Sequence, residues 1–167
     1  MDQANRFFQR AWDKGWLPPP LLDASALWES AAKPLGDNAA AAEQAGRPAE
    51  DVADFRARLE RLTQAVSEEA NLNPLGRVMA HGQIERVIRN RLRMGAVWLD
   101  RPEMARTSLA PPIIIIGHMR SGTTRIHKLL CADPAHSHTR YCDAFHPVPG
   151  RRIDLREWKA AFEIGFL

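Results

Sequence analysis

Four consecutive isoleucines, Ile113 to Ile116, stand between Pro111-Pro112 and Gly117. No other stretch restricts the fold as much. A run that is β-branched throughout, uncharged and bounded by proline and glycine suits a strand buried on both faces, the environment of a parallel sheet. Such a strand needs helices to cover it. Ile126, Leu129 and Leu130 supply the apolar side of a helix directly downstream, which Asp133-Pro134 should end. The spacing therefore predicts a strand, a glycine loop and a helix in succession, with a second strand over His138 to Cys142. Beyond a turn at Pro147 to Gly150, Asp154 and Glu157 have capping-box spacing and Ile153 can staple to Trp158. A last helix carrying Leu155, Trp158, Phe162 and Phe166 should follow.

The residues before this unit have a different character. Phe7, Phe8, Ala11 and Trp12 share one helical face, which Gly15 and Pro18-Pro19-Pro20 interrupt. Asp23 can cap a second helix bearing Leu27 and Trp28, stopping near Pro34 or Gly36. Asn38 to Glu50 is alanine-rich and weakly patterned, open to either helix or loop. Val52, Phe55, Leu59, Leu62 and Val66 fall on one stripe of a third helix. Asn73 caps a fourth that opens with Pro74, where a missing amide proton costs nothing. Its buried face should hold Leu75, Val78, Met79, Val87, Ile88 and Leu92, with Gly82 a weak point. Arg77, Arg86, Arg89, Arg91 and Arg93 lie opposite, either as a solvated surface or as a wall facing an anion.

The expected architecture is thus α/β: residues 1–109 form a mainly helical N-terminal region, and residues 110–167 begin a P-loop-type parallel sheet that is incomplete. At 167 residues the chain allows one domain or two small ones. A net charge of +3 fits an anionic ligand without calling for nucleic acid. Two cysteines, Cys131 and Cys142, imply no disulfide framework, and no apolar run approaches the ~18 residues of a membrane span. A cytoplasmic protein with reduced thiols is expected.

Chemistry concentrates in Gly117-His118-Met119-Arg120-Ser121-Gly122-Thr123-Thr124, between the isoleucines and the helix. Gly117 and Gly122 let the backbone turn tightly, so that amide protons can converge on an anion at the positive end of the helix. Thr123 and Thr124 add hydroxyl donors. Arg120 adds a permanent cation whose planar fork fits a tetrahedral oxyanion. The loop is not a Walker A motif, because Thr123 stands where the lysine of GxxxxGK[ST] would be. Hydrolysis of a nucleoside triphosphate is disfavoured accordingly.

The run Pro111 to Thr124, with Leu129-Leu130-Cys131-Ala132-Asp133-Pro134 behind it, resembles the 5′-phosphosulfate-binding loop and first helix of sulfotransferases. The likeness is closest to the bacterial branch with an RSGTT core. It implies transfer of a sulfonate group from 3′-phosphoadenosine 5′-phosphosulfate (PAPS) to the hydroxyl or amine of a small-molecule acceptor. It also implies that Arg120, Ser121, Gly122, Thr123 and Thr124 bind the donor, with Arg120 steadying the leaving phosphate oxygen as charge builds there. In the bacterial relatives a glutamate precedes a Tyr-Pro-x-Pro-like segment. Here His146-Pro147-Val148-Pro149 resembles that segment and Asp143, one methylene shorter, falls in the glutamate's place. Asp143 is either the base that takes the acceptor's proton or a solvated loop carboxylate.

His118, His127, His136, His138 and His146 crowd the same region, but their spacings match no standard zinc pattern, and no metal is expected. Sulfotransferases also hold the donor's 3′-phosphate with an arginine and a serine at a short fixed interval. Beyond Ser121 the only serine is Ser137, with no arginine so placed before it. The chain is therefore expected to be the N-terminal part of such an enzyme, a fragment or a truncated product. Two other classes stay open: a kinase-like P-loop nucleotide-binding protein, and a non-catalytic helical interaction module.

Overall fold

The computed structural model describes residues 2–149. The chain divides into two compact units, Met1–Arg106 and Thr107–Leu167.

The first unit is helical. α1 (Asp2–Asp13) turns the Phe7, Phe8 and Trp12 cluster and the buried Ala11 to one side, and ends before Gly15, whose φ is +67°. α2 (Ala24–Ala32) starts where Asp23 accepts the amide protons of Ser25 and Ala26. A 3-10 segment (Lys33–Asn38), broken at Gly36, leads into α3 (Ala39–Gln44), so the undecided alanine tract is a short helix. α4 (Ala49–Glu68) and α5 (Pro74–Asp100) are the long elements, and α6 (Pro102–Ala105) is a single turn. The Asn73 side chain accepts from the Gly76 amide and Pro74 is the first residue of α5, as the sequence requires. Gly82 does not interrupt that helix.

The core of this unit joins Leu27, Ala31 and Ala32 of α2 to Ala39, Leu59, Ile88 and Leu92. α5 approaches α3 closely at Gly95, where a Cβ atom would stand 1.7 Å from the Ala42 carbonyl oxygen. Arg47 closes the C-terminus of α3, donating to the carbonyls of Ala42 and Glu43 and to that of Arg91, with its guanidinium over the Trp98 ring. Glu43, buried, is held bidentately by Arg56. Arg91 does not join a solvated face. It pairs with Asp51 at 2.7 Å and lies over the Phe55 ring. Three residues expected to be buried on α4 and α5 are open: Leu62 is 49% exposed, Met79 44% and Val87 55%.

The second unit corrects the expected α/β class. Among the described residues there is no strand, and the isoleucines run as irregular chain without a ladder, Ile113, Ile114 and Ile116 being 64%, 74% and 90% exposed. The parallel sheet is therefore absent from the described residues. The reason is physical: a helix satisfies its amides within itself, whereas a strand needs a neighbour, and no described segment supplies one. The second expected strand fails differently. Residues 138–140 are irregular and Tyr141 opens α8 (Tyr141–Phe145). α7 (Thr123–Cys131) forms where the sequence places it and ends before Asp133-Pro134. The helix expected from Asp154 onward lies outside the described residues.

Candidate functional site: the loop before α7

The loop is shaped by local constraints. Gly122 is the N-cap of α7 with φ +87°, a left-handed conformation that glycine adopts without steric cost. Arg120 is also left-handed, at φ +63°, which costs a non-glycine residue ~1–2 kcal/mol. Backbone held in such a region clusters at ligand-binding sites. Between these two, the Ser121 amide donates to the His118 carbonyl at 3.1 Å and closes the turn. The loop folds back on Gly117: a Cβ there would lie 2.5 Å from Ser121 Oγ and 2.9 Å from Thr123 Cγ2. Glycine at this position lets the two hydroxyl-bearing side chains approach the backbone.

The helix then begins. Gly122 accepts the amide protons of Arg125 and Ile126 at 2.9 and 3.1 Å. Thr123 and Thr124, the first two residues of α7, point amides out of the helix end with no intrahelical acceptor. Those amides and the helix dipole make the turn favourable to an anion. His118, Met119, Arg120, Ser121, Gly122 and Thr124 are exposed and Thr123 is half-buried, so the loop is open to a ligand. Among the described residues Arg120 has neither an ion-pair partner nor a hydrogen bond. Its charge remains available to a ligand.

The residues read together from the sequence, Arg120, Ser121, Gly122, Thr123 and Thr124, are thus contiguous in one exposed turn. Asp143 stands elsewhere, on α8. Its carboxylate accepts the Arg140 amide at 3.1 Å and both arms of the Arg140 guanidinium, at 3.0 and 3.1 Å. It is neither a free loop carboxylate nor an unengaged base. Sequence reasoning missed this pair, although the i,i+3 spacing of Arg140 and Asp143 was a signal for it.

The histidines are scattered. The His127 ring nitrogens lie 3.7 and 3.6 Å from Cys131 Sγ, and the ring stands edge-on to His138 at 6.3 Å between centroids. His136 Nδ1 is 3.3 Å from the Leu130 carbonyl oxygen. Among the described residues no three histidines, cysteines or carboxylates come together to hold a metal ion. No described helix is long and apolar enough to cross a membrane.

Residues 111–166, the stretch that contains the loop, α7 and α8, match the model of the Sulfotransferase family. The match lies in the C-terminal part of the chain and does not extend to the helical first unit. No curated protein and no solved structure matches the chain.

Proposed function

We propose, from the Sulfotransferase family match at residues 111–166, that this chain carries the 5′-phosphosulfate cradle of an enzyme that moves a sulfonate group from PAPS to the hydroxyl or amine of a small acceptor. The observation that carries the reading is the turn from Gly117 to Thr124. Two left-handed residues, a glycine that admits Ser121 and Thr123, a helix N-terminus and an arginine unpaired among the described residues meet there. On this reading the amides of Thr123 and Thr124, with the hydroxyls of Ser121, Thr123 and Thr124, receive the donor's phosphate and sulfonate oxygens. The likeness to the RSGTT branch supports the same assignment.

Sulfonate transfer displaces a phosphate oxygen in line, and negative charge grows on that oxygen as the bond to sulfur breaks. Fixed amides and a guanidinium aimed at it stabilise the transition state more than the ground state. Arg120 is the cation for this role, and its permanent charge needs no proton at the moment of reaction. The acceptor's proton goes to Asp143 in this proposal. Because both carboxylate oxygens are engaged by Arg140, Asp143 must loosen that fork to act as a base. Arg140 is then the group that positions the carboxylate beforehand.

Isothermal titration with adenosine 3′,5′-bisphosphate tests the cradle. Arg120→Ala should weaken binding about ten- to hundredfold, the worth of ~1.5–3 kcal/mol for a charged hydrogen bond. Unchanged affinity would refute the assignment. Asp143→Asn separates the two roles of that residue. If Asp143 is the base, turnover is lost with product affinity preserved, whereas a residue that only holds α8 leaves turnover intact; the melting temperature falls in either case, because the Arg140 fork is weakened.

A further inference from the structure

On and just after α1, large apolar side chains stand in water: Phe7 is 56% exposed, Trp16 65% and Leu17 46%. Single exposed apolar residues are ordinary, but neighbours set among charges mark an interaction surface. Local bonds hold them outside. The Asn5 side chain accepts the Leu75 amide proton at 2.9 Å and fixes α1 to the start of α5, and Ala11 is buried, which leaves Phe7 at the edge of the packed side. The amides of Trp16 and Leu17 both donate to the Ala11 carbonyl, at 2.9 and 3.4 Å, so the chain folds back over the helix end. Pro18-Pro19-Pro20 then rule out a further helical turn.

Cations run through the same patch. Phe7, Arg10 and Lys14 fall at i, i+3 and i+7 and share one stripe, with Arg6 beside them, and all four are exposed. Lys14, one residue past α1, keeps the helical bond to the Arg10 carbonyl at 3.1 Å. Its Nζ lies 4.7 Å over the Trp16 ring, which joins the stripe to the chain beyond the helix. Among the described residues none of these three cations forms an ion pair, and Arg6 donates to the backbone carbonyl of Asp2. The carboxylates of α1, Asp2 and Asp13, stand on the next stripe with Gln9, whose amide donates to Asp13 at 2.9 Å. Aromatic and aliphatic groups are therefore interleaved with free positive charge.

We propose that this patch docks the chain on the surface of an anionic lipid bilayer. Phe7, Trp16 and Leu17 enter the boundary between headgroups and acyl chains, and Arg6, Arg10 and Lys14 meet lipid phosphates. An indole suits that depth because one edge is apolar and its N–H stays wet. Leu17 favours a bilayer over single-stranded nucleic acid, since an aliphatic side chain enters hydrocarbon but offers no ring for a base to stack on. The association is peripheral, for no described helix is long and apolar enough to cross a membrane. It lies wholly within the first unit and does not depend on the donor-binding role of the loop before α7.

The probe is a vesicle of phosphatidylcholine and phosphatidylglycerol, with pure phosphatidylcholine as the neutral control. In co-sedimentation the full chain should bind the anionic vesicles saturably and at least about tenfold more tightly than the neutral ones, and added salt should weaken that binding. The double variant Arg10→Ala, Lys14→Ala, at exposed positions, should lower the affinity about thirtyfold without lowering the melting temperature. Lipids brominated along their acyl chains should quench a component of the tryptophan fluorescence that Trp16→Phe removes. Equal binding to both kinds of vesicle, unchanged affinity in the double variant, or no quenching traceable to Trp16 would overturn the proposal. So would saturable binding of an oligothymidylate, lost in the same double variant, with no binding to vesicles; the patch would then belong to single-stranded nucleic acid.

Discussion

Gly95 and Gly117 both bring backbone close to a neighbour, with different consequences. At Gly95 the neighbour is the main chain of α3, which cannot rotate away, so Gly95→Ala must separate two helices. A loss of about 1–3 kcal/mol is expected, read from the denaturant midpoint, with helix content retained. At Gly117 the nearest atom is the Ser121 hydroxyl, which can swing aside. Gly117→Ala should therefore leave the melting temperature nearly unchanged while turning that hydroxyl away; on the proposed function it lowers adenosine 3′,5′-bisphosphate affinity severalfold in the same titration. The turn on the loop was legible from sequence because its glycines stand beside hydroxyl residues and an arginine within eight consecutive positions. The state of Asp143 was not, since it depends on which rotamer Arg140 adopts.

Among the elements, the best-read were those whose signals are local. Asp23 and Asn73 cap α2 and α5 through bonds spanning two or three residues, and the sequence displays both partners. Asn73→Ala should cost about 1 kcal/mol in thermal or denaturant unfolding. Asp23 adds a pH dependence. The Ala26 amide above all, opposed by desolvation and helped by Ser25, holds its carboxyl below the ordinary carboxylate value. A depressed folded-state value means that the contribution is complete above the unfolded value and fades as pH falls through the folded one. Asp23→Asn keeps an accepting cap that does not titrate. The stability advantage of the native chain over this variant should therefore shrink below about pH 4, as followed by melting temperature. α3 could not be decided from sequence because its C-terminal closure comes from Arg47, whose third bond goes to the Arg91 carbonyl 44 residues away. Ile113 to Ile116 were misread for the same reason in reverse: their composition suits a strand, but a strand is completed only by a distant partner.

At the scale of the whole molecule the helical first unit has its own core, drawn from α2, α3, α4 and α5 together with the ion pairs of Glu43 and Asp51. None of these contacts needs residues past Arg106. Residues 1–106 produced alone should therefore keep a helical circular dichroism spectrum and unfold cooperatively, with a midpoint close to that of the same unit in the full chain. A non-cooperative melt would show that the first unit depends on the rest. Charge, length and the broad helical character of this unit could be read from sequence. That Leu62, Met79 and Val87 stay open could not, because helical periodicity identifies an apolar face without saying whether a neighbour closes over it.

The uncovered isoleucines have a practical consequence. A short window of high β-propensity, with no charge and an open backbone, is the kind of segment that templates fibrils when many copies are crowded together. Concentrated solutions of this chain should develop thioflavin T fluorescence after a lag that shortens with concentration. A single lysine in place of Ile114 should prolong that lag, acting as a gatekeeper against stacking.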